Sequence, residues 1–218
     1  MVVLFWSAKG GSGVTVLAAA CALLSGRRGP TTLLDLGGDV HAALGLPGPV
    51  GPGALDWLDA PNGTADGLFR LASDAADGLK VIGAGPRPGA RITDDDWERI
   101  SAACSTRPET VIVDAGAGVP PECAHEQAAR SLLVTRPCFL ALRRAARHSH
   151  LASGAILLTE PGRALGADDV ERALGITVDA QVPWDPAVAR AVDAGLLSSR
   201  LPAALVRQLR DVARAAAA

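Results

Sequence analysis

The most constraining feature of the sequence is a glycine-rich segment, SAKGGSGVT (7–15), between two apolar runs. The residues before it, VVLFW (2–6), are typical of a buried strand, and those after it, VTVLAAACALLS (14–25), are typical of a helix. Glycines let backbone N–H groups converge on an anion, and the first turn of a helix adds partial positive charge. A strand, a glycine-rich turn and a helix in this order predict a phosphate-binding loop.

Short apolar runs rich in branched side chains recur along the chain, and segments of helical period separate them. Most of these runs are apolar on both faces, as parallel strands covered by helices must be. The alternation predicts an α/β fold with a doubly wound, mostly parallel sheet flanked by helices, in a single domain spanning 1–218. The predicted strands are 2–6, 31–35, 79–83, 110–114, 131–135, 155–159 and 176–182, and the clearest predicted helices are 14–25, 94–104, 139–151 and 186–195.

Two local features refine this outline. Asp94 or a neighbour is a suitable N-cap for the helix predicted over 94–104. The stretch 47–67 is dense in glycine and proline, and it predicts a surface excursion that holds one short helical piece.

Charge and cysteine usage narrow the function classes. The net charge of −2 argues against a protein that coats nucleic acid by bulk charge. The charge is uneven, because 1–129 holds 9 basic and 15 acidic residues while 130–218 holds 12 and 8. The four cysteines are scattered without a C-x-x-C motif, which indicates a reducing compartment rather than a disulfide framework. No apolar run reaches about 18 residues, so we expect no transmembrane helix and a cytoplasmic protein.

Four stretches, in chain order, resemble the motifs of the ParA/MinD family of deviant Walker A P-loop ATPases. The first has the spacing K-G-G-x-G-x-T from residue 9. The second resembles the family's strand-plus-switch motif, the third its Walker B strand and second switch, and the fourth the loop near the adenine. These stretches are KGGSGVT (9–15), LLDLGGDVHAALGLP (33–47), TVIVDAGAG (110–118) and VPWDPAVARAVDAG (182–195).

The resemblance implies ATP or ADP with Mg²⁺ as the ligand. Lys9 matches the signature lysine that reaches across a dimer to the partner's nucleotide, and Asp35 matches a catalytic switch aspartate. Thr15 and Asp114 match the Mg²⁺ ligands, Asp114 acting through water. The expected nucleotide-binding residues are Gly10, Gly11, Ser12, Gly13, Val14, Thr15, Val16, Pro183 and Asp185.

Two departures from the family pattern fall on the chemistry. Val14 replaces the loop lysine that holds the β- and γ-phosphates, and Gly37 replaces the aspartate that orients the attacking water. An ammonium 4 Å from a unit charge contributes about 4 kcal/mol at an effective dielectric constant near 20. We therefore predict weak nucleotide binding and weak or absent hydrolysis.

The favoured function is that of a nucleotide-binding protein for spatial positioning, partitioning or recruitment of a cellular machine. Its expected partners are a second copy or a related ATPase, and a protein of the localised machine. The first alternative is an active ATPase in chromosome or plasmid partitioning or septum placement, with Lys9 supplying the phosphate charge. The second is a metabolic or metal-cluster carrier, against which the missing C-x-x-C motif counts.

Two basic segments raise the question of DNA or membrane binding at the nucleoid or the membrane periphery. Arg143, Arg144 and Arg147 lie in the helix predicted over 139–151, and we favour a solvated basic face over a DNA contact. The last segment, 200–218, has the pattern of an amphipathic helix. Since it lacks Trp, Phe and Lys, we favour packing on the sheet over a membrane surface.

Overall fold

A computed structural model describes residues 1–48, 51–86 and 92–217. It contains one eight-stranded sheet, in which the strands lie in the order β3-β4-β2-β5-β1-β6-β7-β8. All neighbours pair in parallel except β3 and β4. The strands are β1 (Val2–Ser7), β2 (Thr31–Asp35), β3 (Ser73–Ala76), β4 (Leu79–Ile82), β5 (Thr110–Ala117), β6 (Arg130–Thr135), β7 (Gly154–Thr159) and β8 (Val178–Pro183).

The seven predicted strands and the doubly wound parallel architecture are confirmed. The eighth strand, β3, was not predicted, and its residues, SDAA, are polar or small and half-buried at most. This strand pairs antiparallel with β4 at the edge of the sheet, where Lys80 forms an exposed ion pair with Asp74. An edge strand with one solvated face needs little apolar sequence, which explains why the pattern did not reveal it.

Helices cover both faces of the sheet. The first helix, α1, lies against the C-terminal helix, α10, on one face. The helices are α1 (Val14–Gly26), α2 (Val40–Leu44), α3 (Ala54–Asp59), α4 (Ala65–Phe69), α5 (Asp94–Ser105), α6 (Glu122–Gln127), α7 (Phe139–Ala145), α8 (Ala167–Leu174), α9 (Pro186–Asp193) and α10 (Ala203–Ala216), with a 3-10 turn at Ser149–Leu151.

The two faces of the sheet form two apolar cores. Alternate residues of β1 point to opposite faces, so that Phe5 lies in the core with α1 and α10 while Trp6 lies in the core with α3 to α8. Trp6 Nε1 donates to Ser131 Oγ over 2.9 Å, and Ser131 Oγ lies 2.8 Å from His125 Nδ1. His125 Nε2 lies 3.0 Å from the Pro120 carbonyl, which can only accept, so Nε2 donates and ties the ring to the loop after β5.

The prediction of one continuous helix over 139–151 was wrong. The segment 139–151 is not one helix, because α7 ends at Ala145, where its buried face ends, and a 3-10 turn follows. The N-cap of α5 was predicted at Asp94 or a neighbour, and it is the neighbour Thr93, whose hydroxyl oxygen accepts from the Asp96 N–H over 3.2 Å.

The segment 47–67 holds two helical pieces, α3 and α4, instead of one. The described part of this segment also contributes to the core, because Trp57 is buried and its Nε1 donates to the Thr64 carbonyl over 2.9 Å. Residues 49 and 50 of this prediction lie outside the described residues.

The C-terminal helix packs on the protein, as favoured above. Leu205, Leu209 and Val212 are buried in the core beside α1 and β8. Its apolar face is therefore covered in this structure. Among the described residues, no helix combines the length and the apolar character needed to span a bilayer.

Candidate functional site

The glycine-rich loop after β1 is held by its own hydroxyl groups. Ser7 Oγ and Ser12 Oγ donate to the Lys9 carbonyl over 2.9 and 2.7 Å. Gly11 and Gly13 adopt φ angles of 75° and 85°, which are unfavourable for residues other than glycine. The glycine positions are thus required by the turn that leads into α1.

This turn leaves a group of backbone N–H groups without hydrogen-bond acceptors. Among the described residues, the N–H groups of Gly10, Gly11 and Gly13 donate no hydrogen bond, and those at the start of α1 have no intrahelical acceptor. These amides lie at the positively polarised end of a thirteen-residue helix. The loop therefore has the form of an anion cradle.

Two carboxylates lie at the carboxyl edge of the sheet beside this loop. Asp35 and Asp114 are register partners on β2 and β5, and both are buried. Asp35 Oδ1 accepts from the Gly38 N–H and Oδ2 from the Val40 N–H, over 2.6 and 3.0 Å. Both oxygens of Asp35 are therefore engaged in fixing the loop that leads into α2.

Asp114 differs from Asp35 in having an oxygen without a partner. Its Oδ1 accepts from the Gly116 N–H over 2.9 Å, while its Oδ2 is buried and has no hydrogen-bond partner within the described part of the chain. Burial raises the pKa of Asp114 to about 6, against the lowering effects of the Thr15 hydroxyl and the Gly116 amide. An unpartnered buried carboxylate is costly, and a cation would compensate it.

A cavity of about 700 Å³ opens next to these groups, and neither Asp35 nor Asp114 is among its lining residues. The glycine-rich loop, the loop after β2 and the loop after β5 surround it, so that all predicted residues from 9 to 16 are brought together. Ile92 and Trp97 were not among the predicted site residues, yet both line this cavity. Only tertiary packing brings the start of α5 to the loop, so no local signal could have shown this. The lining residues are Lys9 to Val16, Leu36, Gly37, Asp39, Ile92, Trp97 and Ala115 to Pro120.

The cavity is poor in positive side-chain charge. Lys9 is the single cation among its described lining residues, and its Nζ donates to the Gly10 carbonyl over 3.3 Å. Val14 is 6% exposed and belongs to the apolar core behind α1. At Gly37, an added Cβ would lie 3.8 Å from Asp35 Oδ1 and 3.9 Å from Asp114 Oδ2, so this position faces both carboxylates.

A second, apolar cavity of about 300 Å³ borders the first, since Gly13 and Val16 line both. Trp184, which is 49% exposed, forms part of its wall, as do the predicted residues Pro183 and Asp185. The Asp185 carboxylate caps α9 by accepting from the Ala187 N–H over 2.8 Å. A half-exposed indole beside a narrow apolar cavity is suited to stacking on a planar ring.

Arg136 also lines the second cavity, although it was not among the predicted site residues. Its Nη1 donates to Glu160 Oε1 over 2.7 Å, and Glu160 Oε2 accepts from Arg163. Arg136 Nε is buried and has no partner among the described residues. The ends of β6 and β7 thus place a charged cluster at the rim of the apolar cavity.

The fold is shared with solved ATPase structures. A ParA family ATPase from Chlorobium tepidum has a TM-score of 0.77 at 19% identity, with 98% of this chain and 97% of that chain covered. The cell division protein MinD from Aquifex aeolicus has a TM-score of 0.75 at 20% identity, covering 98% and 95%. The ATP complex of a Cyanothece McdA variant has a TM-score of 0.72 at 12% identity, covering 99% and 95%.

Comparisons of the sequence with known proteins identify fewer relatives than the structural comparison does. No family model matches the chain. An uncharacterised protein from Streptomyces coelicolor is 39% identical over 98 residues, which cover 37% of this chain and 25% of that protein. The chain therefore spans about a quarter of the length of the curated relative that it matches. What the structure and its neighbours establish is that this chain has the P-loop fold of the ParA/MinD ATPases.

Proposed function

We propose that the chain binds ATP or ADP with Mg²⁺ across the two bordering cavities. The observation that carries this proposal is the unpartnered Asp114 Oδ2 beside a cradle of free backbone amides. The amide cradle suits the phosphates, and the apolar cavity beside Trp184 suits the base. The combined volume is in the range of small-molecule sites.

The residues present fit a magnesium ion. Asp114 and the Thr15 hydroxyl supply hard oxygen atoms, and Mg²⁺ prefers such ligands together with water and phosphate oxygens. When bound, the ion would offset the charge of both the phosphates and the buried carboxylate. Asp35 would act on the site through the loop that its two hydrogen bonds hold.

Hydrolysis by this site would be weak or absent. Phosphoryl transfer depends on positive groups that stabilise the charge of the transferred phosphoryl. Val14 is apolar and buried where the family lysine is expected, and Gly37 has no side chain to position water. Lys9 supplies the remaining side-chain charge.

The cellular role proposed is spatial positioning, partitioning or recruitment of a cellular machine. Neighbours of this fold include a MinC:MinD cell division protein complex, in which the ATPase binds a protein partner. By analogy, we propose a cytoplasmic regulator that pairs with a second copy or a related ATPase and binds a protein of the machine. The analogy rests on the fold alone.

The proposal is tested by titrating the purified protein with a fluorescent ATP analogue, with and without Mg²⁺. We expect a dissociation constant of about 10–1,000 μM that rises when Mg²⁺ is omitted. Turnover measured by phosphate release should stay near background. Failure to bind the analogue at about 1 mM would overturn the proposal, because it corresponds to less than about 4 kcal/mol of binding free energy.

An active ATPase is the second candidate, favoured by the position of Lys9. The lysine side chain folds back onto its own loop, with Nζ 3.3 Å from the Gly10 carbonyl, so its charge stays at the cradle without a partner subunit. This candidate expects measurable phosphate release that Lys9→Ala abolishes. Background turnover in both proteins would rule it out.

A further inference from the structure

A buried series of hydrogen bonds links the strand before the glycine-rich loop to the loop after β5. Trp6 is the residue before the last of β1, and its indole Nε1 donates to Ser131 Oγ of β6 over 2.9 Å. Ser131 Oγ lies 2.8 Å from His125 Nδ1, and His125 Nε2 lies 3.0 Å from the Pro120 carbonyl. Pro120 lines the larger cavity. The side chains of Trp6, Ser131 and His125 are buried, where a hydrogen bond is stronger than in water.

The donors and acceptors of this series run in one direction. The Pro120 carbonyl can only accept, so the proton of a neutral His125 ring lies on Nε2. Burial lowers the pKa of His125, which favours the neutral ring at pH 7, and a neutral Nδ1 accepts from the Ser131 hydroxyl. The Ser131 oxygen in turn accepts from the indole of Trp6. Every donor in the series therefore has an acceptor, and the other tautomer of His125 would break two of its three bonds.

The bond to Pro120 holds a part of the loop that has few other anchors. The Gly118 N–H donates to the Ser7 carbonyl over 2.9 Å, next to the end of β5. Beyond this bond come Pro120 and Pro121, which have no N–H to donate. Within the described ranges, the hydrogen bond from His125 is the one that links this part of the loop to the strands of the sheet. The position of the Pro120 carbonyl thus depends on the ring nitrogens of His125.

A packing role for His125 would need its ring but not its nitrogens. The ring contacts Trp6 edge to face, with the ring centres 5.1 Å apart and the planes at 73°. An apolar ring of similar shape could make the same contact. The two roles of His125 can therefore be separated by substitution.

We propose that His125 is a positioning residue of the nucleotide site, which holds the loop after β5 in the arrangement that forms one wall of the larger cavity. This proposal rests on the nucleotide binding proposed above. The six successive residues from Ala115 to Pro120 line the cavity, so a displaced Pro120 would move groups that face the ligand. His125 is not among the described lining residues and acts through the Pro120 carbonyl.

The first test compares His125→Phe with His125→Gln in nucleotide-free protein. Phenylalanine keeps a flat ring in the core and removes both hydrogen bonds, whereas the glutamine amide keeps a neutral donor for the Pro120 carbonyl. Hydrogen–deuterium exchange of the amides of 115–119 should be at least about tenfold faster in His125→Phe, because an unmade buried hydrogen bond raises the population of the open loop. In His125→Gln the exchange should stay within about threefold of the parent.

The second test titrates the same proteins with the fluorescent ATP analogue and Mg²⁺. The dissociation constant should rise about tenfold in His125→Phe and stay near the parent value in His125→Gln. His150→Phe is the matched control, since His150 is exposed and is not among the described residues that line either cavity. It should exchange and bind as the parent does. Thermal unfolding verifies that each variant is folded.

A third measurement uses the parent protein and needs no intact variant. ¹⁵N NMR of the imidazole rings at pH 7 should show a His125 ring that is protonated at Nε2 and unprotonated at Nδ1. The His125 signals are identified by their loss in His125→Gln. If His125→Phe does not fold, this tautomer and the behaviour of His125→Gln decide the question.

Three results would overturn the positioning role. They are unchanged loop exchange in His125→Phe, equal effects of His125→Phe and His125→Gln, which would assign the effect to packing, and a parent ring protonated at Nδ1 alone. A parent that fails to bind the ATP analogue but shows the expected exchange pattern would overturn the nucleotide proposal and still support the hold of His125 on the loop. The two proposals therefore fail separately.

Discussion

Asp35 and Asp114 face each other in register at the ends of β2 and β5, yet they have different chemical environments. Two backbone amides occupy the Asp35 carboxylate, whereas Asp114 keeps one buried oxygen without a partner. Their charges also interact, since Asp35 adds to the raised pKa of Asp114. One carboxylate of the pair therefore shapes a loop, and the other keeps a buried oxygen that no hydrogen bond occupies.

Replacing Asp114 by Asn should stabilise the protein and impair its site. Burial raises the pKa of Asp114 from 3.8 to about 6, so the folded state binds a proton more tightly than the unfolded chain. Ionisation of this carboxyl therefore lowers the free energy of unfolding as pH rises from about 4 to about 6, and the loss persists at pH 7. Asp114→Asn removes a charge cost of up to about 3 kcal/mol at pH 7 and little near pH 4.

Urea unfolding of both proteins across this pH range measures the effect. The same substitution should abolish any dependence of nucleotide affinity on Mg²⁺. A variant less stable than its parent at pH 7 would contradict the electrostatic account of Asp114.

Asp35→Ala should destabilise the fold by about 1–3 kcal/mol, since hydrogen bonds to charged groups contribute about 1.5–3 kcal/mol each and the burial cost of the carboxylate offsets part of this. The loop that holds Gly37 would lose both of its anchors, so nucleotide affinity should fall as well. Asp39→Ala is the matched control, because Asp39 is exposed and its side chain forms no capping hydrogen bond. Equal unfolding free energies for the two variants would refute the anchoring role of Asp35.

Val14→Lys should strengthen nucleotide binding at least about tenfold, which requires about 1.4 kcal/mol from the new ammonium. Val14 lines the larger cavity although most of its side chain is buried, so a longer side chain can reach the cradle. Adding Gly37→Asp should produce turnover, because it restores the carboxylate that orients the attacking water. The side chain fits, since a Cβ at this position finds its nearest neighbour at an ordinary contact distance of 3.6 Å.

The control for this pair is Val14→Met, which extends the side chain without charge. Isothermal titration and phosphate release measure binding and turnover. Equal affinities of the Lys and Met variants would show that charge at position 14 is not what the site lacks.

Trp184 should report and support binding of the base. Stacking of a base on an aromatic side chain contributes about 1–3 kcal/mol, so Trp184→Ala should weaken ATP binding about fivefold to a hundredfold. ATP should also change the indole fluorescence of the parent, and this change should be smaller in Trp184→Phe, where Trp97 remains beside the larger cavity. Leu196→Ala, an exposed apolar residue that does not line the smaller cavity, is the control and should bind as the parent does.

The sequence predicted the parallel strands because their residues, such as those of β5 and β6, are apolar on both faces. It missed β3, whose place depends on pairing with β4 rather than on its own composition. The sequence also predicted a single helix over 139–151, since helical period alone does not show where the buried face of α7 ends.

The candidate site also has some features that the sequence showed and others that only the structure showed. The glycine spacing and the departure at Val14 are local, and the sequence showed both. Asp35 accepts hydrogen bonds from backbone amides, whereas Asp114 Oδ2 has no partner among the described residues. The sequence could not show this difference, since both aspartates lie in similar strands.

The sequence by itself determined the strand–loop–helix order, the phosphate-loop chemistry and the loss of a cation at position 14, because these depend on neighbours in the chain. Only the tertiary structure decided which carboxylate keeps an oxygen without a partner, and that Trp97 and Arg136 line the cavities. These relationships join residues far apart in sequence, and they exist only once the sheet has set its strand order.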